Sequence, residues 1–126
     1  MKVFDPIRKQ YVELTPEEQV RQYCINVLTK QFSYPKSAIA VEGQINLNSM
    51  TRRFDILVYD KALKPFLLVE CKRKEVKLTQ QTVDQVVSYN FAIQAPYIMI
   101  TNSLTTYLIE YKDGEYAFLD TLPAYR

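Results

Sequence analysis

The chain has 126 residues, 48% of them hydrophobic and 24% charged, with a net charge of +2; that is the profile of one ordinary globular domain, and it neither demands nor excludes a nucleic-acid partner. It has no histidine, which removes His-based catalysis and most zinc chemistry and leaves any metal to oxygen ligands suited to Mg²⁺, Mn²⁺ or Ca²⁺. No N-terminal run has the apolar core of a signal peptide and no 18-residue apolar stretch occurs, so the expectation is a cytoplasmic protein with no membrane partner, its Cys24 and Cys71 reduced.

In chain order, residues 1–14 show no clear period and read as an extended N-terminal arm, with a single domain over 15–126. Residues 15–32, "TPEEQVRQYCINVLTKQF", carry helix signals. Thr15 is a good N-cap, Pro16 suits the first helical position, and Glu18 completes a capping box. Val20, Cys24, Val27 and Leu28 share one face, flanked by Tyr23, Ile25 and Phe32. Pro35 ends the helix. Three strands follow: 38–47 "AIAVEGQINL", 52–59 "RRFDILVY" and 65–72 "PFLLVECK". The last two are joined by a hairpin-length loop. Residues 78–94 read as a second helix capped by Thr79, with Val83, Val86, Val87 and Phe91 facing inward. A strand at 96–102 and a closing hairpin, 105–111 and 116–120 around "KDGE", complete the order α-β-β-β-α-β-β-β. That order suggests a mixed sheet with helices on its faces.

The spacing within the 52–72 hairpin places chemistry. If the loop centres between Ala62 and Leu63, Tyr59 faces Phe66, Leu57 faces Leu68, and Asp55 faces Glu70. Alternation puts Glu70 and Lys72 on Asp55's face, and Phe54, Ile56, Val58, Leu67, Val69 and Cys71 on the other. Opposed carboxylates with Cβ atoms roughly 5 Å apart repel, and a divalent cation between them turns that repulsion into binding. Lys72 beside them could orient or deprotonate a water, or stabilise charge on a phosphate. Such a cluster at the end of a buried sheet is where α/β proteins place sites. Taken alone, the same residues could equally be cross-strand ion pairs on a wet face. Gln85 and Tyr89, four apart on a helix, are by themselves a core-edge pair. Arg52, Arg53, Lys72, Arg73, Lys74 and Lys77 read either as a phosphate-tracking rim or as a solvated edge.

These residues resemble a known family. "RRFDILVYD", "PFLLVECKRKEVKLTQQTVDQVVSYN" and "PYIMITN" are similar to the PD-(D/E)XK nuclease domain at the N-terminus of type I restriction enzyme R (motor) subunits, with Gln85 and Tyr89 matching its Gln-x-x-x-Tyr signature. Phe54 stands where the superfamily name has Pro. The resemblance implies a restriction-endonuclease-like α/β fold, a mixed sheet flanked by helices, and a Mg²⁺-dependent endodeoxyribonuclease in which Mn²⁺ can substitute. It implies Asp55 and Glu70 as metal ligands with the Cys71 backbone carbonyl, and Lys72 as the catalytic lysine. Gln85 and Tyr89 would support the site or contact DNA. The family also uses an acid on the first helix. Glu17 lies within about 20° of Cys24 and Leu28 on the helical wheel and is favoured over the capping residue Glu18, binding the metal directly or through water; Arg21 could pair with it. The implied partners are DNA, a helicase motor or specificity subunit, and a second copy of the chain. No Walker A motif occurs, so the expectation is a stand-alone nuclease or an excised domain. The alternative is a non-catalytic nucleic-acid-binding or interaction module with a nuclease fold.

Overall fold

The computed structural model describes residues 1–47 and 49–126. Its elements are β1 (Lys2–Asp5), β2 (Gln10–Glu13), α1 (Pro16–Asn26), β3 (Ile39–Leu47), β4 (Met50–Tyr59), β5 (Pro65–Cys71), α2 (Gln80–Ile93), β6 (Tyr97–Thr101), β7 (Thr106–Lys112) and β8 (Glu115–Leu119). From α1 onward the order is the one the sequence patterns predict. Residues 1–14 are not simply extended: β1 and β2 pair as an antiparallel hairpin that forms its own small sheet.

The main sheet has six strands in the order β3-β4-β5-β6-β7-β8. Every pairing in it is antiparallel except β5 with β6, which are parallel and joined across the face by α2. Parallel neighbours need such a crossover, whereas the other connections can be tight. The β7–β8 turn uses Asp113 and Gly114, both at positive φ, as a two-residue hairpin turn of this kind requires.

The helices cover opposite faces, because the central strands are apolar on both. Val20, Cys24 and Ile25 of α1, with Leu28 just after it, pack with Ile56, Val58, Leu67 and Val69. Val83, Val86 and Ile93 of α2 pack with Leu57, Leu68, Ile98 and Ile100. The chain thus has a restriction-endonuclease-like mixed α/β architecture. No helix among the described residues is long and apolar enough to cross a membrane.

Some local expectations change. Helix α1 is followed by a wider turn of π-helix, Val27–Gln31, and Val27 is only half-buried. Phe91 is 73% exposed; the inward residue in that turn is Asn90, whose amide holds the N–H and carbonyl of Ala95 and so caps the helix end. The predicted register holds at Leu57↔Leu68, but a bulge after Val58 pairs Tyr59 with Pro65 instead of Phe66. The loop explains the slip: the Asp60 carboxylate accepts N–H groups from Ala62 and Lys64, fixing a turn that consumes the odd residue. Phe54 joins the α2-side core rather than the face of Ile56 and Val58. Its ring lies across Gly43, its partner on β3, where an added Cβ would come within 2.6 Å of it.

Candidate active site

The site lies where β4 and β5 part. Their pairing runs Val58↔Leu67, Leu57↔Leu68, Ile56↔Val69 and stops. Beyond it the Asp55 carboxylate turns into the gap and accepts the Cys71 N–H through Oδ2 at 2.9 Å. Strand β5 continues on the strength of its other neighbour, pairing Glu70 with Ile100 and Cys71 with Thr101. The Lys72 N–H then donates to the Thr101 carbonyl at 2.9 Å. Strand β5 is therefore braced by β6 while β4 stays paired with β3 from Phe54 to Met50, and the sheet end opens between Asp55 and Glu70. Lys72 Nζ stands 3.7 Å from Glu70 Oε1, with both side chains about one-third exposed.

Sharing this gap with Asp55 disturbs Glu70. Burial, and then the Asp55 charge, push the Glu70 carboxyl up to about 7, against the opposing pull of Lys72; a hydrogen bond with Asp55 adds to the upward shift. A cation between them would offset the Asp55 charge and favour the ionised form of Glu70 despite its burial.

Helix α1 brings two acids with different surroundings. Thr15 Oγ accepts the Glu18 N–H at 3.1 Å, but the Glu18 carboxylate does not close a capping box. It is buried instead against Arg8 at 2.7 Å and Arg21 at 2.8 Å. Glu17 is exposed and lines the cleft with Asp55 and Glu70. Arg21 does not pair with Glu17. Its guanidinium bridges Glu18, Glu42 at 2.9 Å and Asp55 at 3.2 Å.

Helix α2 contributes Gln85, exposed on the wall of the cleft, and Tyr89. The Tyr89 hydroxyl is buried with no hydrogen-bond partner, and Arg52 lies 5.9 Å over its ring. Burial raises its pKa; Arg52 opposes the shift, while the charges of Glu70 and Asp55 add to it.

Two adjoining clefts meet over Glu17, Asp55 and Glu70. One, of about 500 Å³, extends past Arg21 and Glu42 to Arg53. The other, of about 440 Å³, extends past Lys72 and Arg73 to Thr82 and Gln85. Asp55, Glu70, Lys72, Glu17 and Gln85 thus border one track across the sheet end. Lys74 and Lys77 are exposed beyond it, and Tyr89 stands near enough to feel the charges of Glu70 and Asp55. Among the described residues no three His, Cys, Asp or Glu side chains converge to hold an ion by themselves. Two carboxylates, a backbone carbonyl and waters are nonetheless the hard, partly hydrated donor set that Mg²⁺ accepts. The upward push of Asp55 on Glu70 and the orphaned Tyr89 hydroxyl both fit a group bound there.

Sequence reasoning missed Arg21 as the partner of Asp55, and missed Glu42 altogether. A signal for Arg21 existed: it sits one turn before Ile25 and two before Leu28, on the core-facing side of the helix, where a guanidinium demands carboxylates. Glu42 had none, because its backbone adopts a left-handed φ of 49° that strand alternation does not predict. The two cysteines are free and buried, their sulfurs 3.7 Å apart.

Comparison with known proteins bears on this geometry. A search of curated proteins finds no significant match. Among solved structures the fold is similar to a protein from Anabaena variabilis ATCC 29413, assigned to DUF820 and described as a candidate nuclease. It shares 8% identity at a TM-score of 0.55, with 95% of this chain and 76% of that one covered. The sequence model described as type I restriction enzyme R protein N terminus (HSDR_N) matches residues 16–123. With nearly the whole chain inside that match, the protein belongs to the family of type I restriction enzyme R protein N-terminal domains.

Proposed function

We propose that the chain is a Mg²⁺-dependent endodeoxyribonuclease, with Mn²⁺ able to substitute. The observation that carries this reading is the parting of β4 from β5, which sets Asp55 against Glu70 with Lys72 at 3.7 Å in a member of a restriction-enzyme family. Asp55, Glu70 and the Cys71 carbonyl would hold the ion, with Glu17 joining directly or through water. A bound Mg²⁺ or Mn²⁺ supplies Lewis-acid stabilisation of phosphate charge and acidifies water.

The chain's own groups do the rest. Lys72 sets a positive charge where the phosphoryl oxygens gather negative charge, and it orients the attacking water for in-line displacement. Gln85 can donate to the substrate backbone from the cleft wall, and the Tyr89 hydroxyl, buried without a partner, would support the site or contact DNA. Arg53 and Arg73 at the two ends of the track would meet flanking phosphates of a DNA strand. One such site cuts one strand, so cleavage of a duplex would use a second copy of the chain or a partner such as a helicase motor or specificity subunit.

Incubation of supercoiled plasmid with the protein and Mn²⁺ tests the reading. Wild type should nick and Lys72→Ala should not. An intact plasmid with wild type, together with retained DNA binding, would leave the non-catalytic nucleic-acid-binding module in its place.

A further inference from the structure

We propose that the N-terminal hairpin is a working part of the site: acting through Arg8 and Arg21, it fixes the Asp55 carboxylate before any ion arrives, so that Arg21 is a positioning residue for Asp55. The inference rests on the metal-site reading above but extends it to a segment outside the family match, which begins at residue 16.

The connection is a chain of alternating charges. Asp5, fully buried at the end of β1, accepts the Arg8 Nε–H at 2.8 Å. It is anchored in turn by the N–H groups of Ile7 and Arg8 and by Gln22 of α1. The Arg8 guanidinium reaches Glu18 at 2.7 Å and Glu42 at 3.6 Å. Those two carboxylates hold Arg21 from two sides, at 2.8 and 2.9 Å, and Arg21 delivers Nη2 to Asp55 Oδ1 at 3.2 Å. The other Asp55 oxygen takes the Cys71 N–H. Each oxygen is therefore fixed by one of these donors, and an ion that displaced the proton Glu70 shares with Asp55 would find a lone pair on each.

The sign of a mutational effect separates positioning from mere charge. By Coulomb's law, deleting a positive charge near a cation site tightens cation binding. Releasing Asp55 from its orienting donor loosens it, as removal of outer-shell partners does at metal sites. The two effects oppose each other, so the direction decides.

The test uses the full chain and two readouts. Mn²⁺ alone, titrated by its paramagnetic resonance signal, should bind about tenfold more weakly to Arg21→Gln and about threefold more weakly to Arg8→Gln, with Arg21→Lys recovering part of the loss. In metal-free protein, hydrogen exchange of the Cys71 amide reports on Asp55 directly. It should accelerate in both variants while the Leu68 and Val69 amides stay protected. If Arg21→Gln does not fold, Arg8→Gln decides alone. Mn²⁺ binding as tight as wild type or tighter, or an unchanged Cys71 exchange rate, overturns the proposal. Wild type that binds no Mn²⁺ would sink the nuclease reading instead, and the Cys71 amide would still settle the role of the hairpin.

Discussion

On the α1 flank of Asp55, charges are matched: buried Asp5 and Glu18 and the more exposed Glu42 surround Arg8 and Arg21 at hydrogen-bonding distances, with the Arg21 Nε left over among the described residues. On the β5 and α2 flank the same kinds of group are poorly matched. Glu70 is pushed up to about 7, its contact with Lys72 is long at 3.7 Å, and the Tyr89 hydroxyl has no partner. The matched flank has the character of structure, since unpaired buried charges cost several kcal/mol. The unmatched flank is a place where a ligand completes what folding left open. Removing one charge from each flank should therefore have opposite consequences.

The largest effects test that contrast directly. Lys72→Ala should lower plasmid nicking by about 10³-fold, as loss of a transition-state charge contact does. Its unfolding free energy should stay within about 1 kcal/mol of wild type, because a long, one-third-exposed ion pair contributes little. Glu18→Ala strands Arg8 and Arg21 and should cost about 3–5 kcal/mol in urea unfolding. Equal stability losses in the two variants would erase the distinction between the flanks.

A smaller effect is expected at the crossing of β3 and β4. Gly43→Ala places a Cβ 2.6 Å from the Phe54 ring, and Phe54 is buried beside Leu57 and Leu68. The ring must move, at a cost of about 1–3 kcal/mol, and it carries the backbone next to Asp55 with it. A urea midpoint equal to wild type would mean that the ring has somewhere to go.

The contrast between the flanks also explains what was legible in the sequence. Apolar runs and turn chemistry predict the elements from α1 onward because those signals are local: period-2 strands, the Thr15 and Thr79 caps, the Asp113–Gly114 turn. The juxtaposition of Asp55 and Glu70 follows from hairpin arithmetic, since Leu57↔Leu68 lies in a regular stretch. The matched flank was illegible because it joins Asp5, Arg8, Glu18, Arg21, Glu42 and Asp55 from four separate elements. No periodicity connects them, and Glu42 enters through a left-handed backbone. The hairpin of β1 and β2 was missed for a related reason: its strands are only four residues each, too short to show alternation.

Titration of Glu70 provides a third lever. An ordinary glutamate near 4.5 describes the unfolded chain, and about 7 describes the folded one. Between these values the folded, metal-free protein holds a proton that the unfolded chain has released. Glu70's contribution to stability is therefore fully present below 4.5 and is lost as pH rises through 7. Ion uptake runs the other way, because below pH 7 the metal must displace that proton. Mn²⁺ affinity should fall about fivefold from pH 7 to pH 6 and level off above about 8. Calorimetric titrations showing affinity flat from pH 5.5 to 8 would mean that Glu70 is not a ligand.

The smallest effect belongs to Tyr89. Its hydroxyl is buried without a partner, a state that costs about 1–3 kcal/mol when a buried polar group goes unsatisfied. Tyr89→Phe deletes the hydroxyl while keeping the ring that packs with the α2-side core and lies under Arg52. If the hydroxyl is held open for a ligand, metal-free Tyr89→Phe should be as stable as wild type or slightly more so, and its nicking rate should drop by less than about tenfold, the share of one neutral donor. The pairing of those two results is what matters. A variant that loses stability would show that the hydroxyl already has a structural partner, and Tyr89 would then belong with the matched flank rather than with the open one.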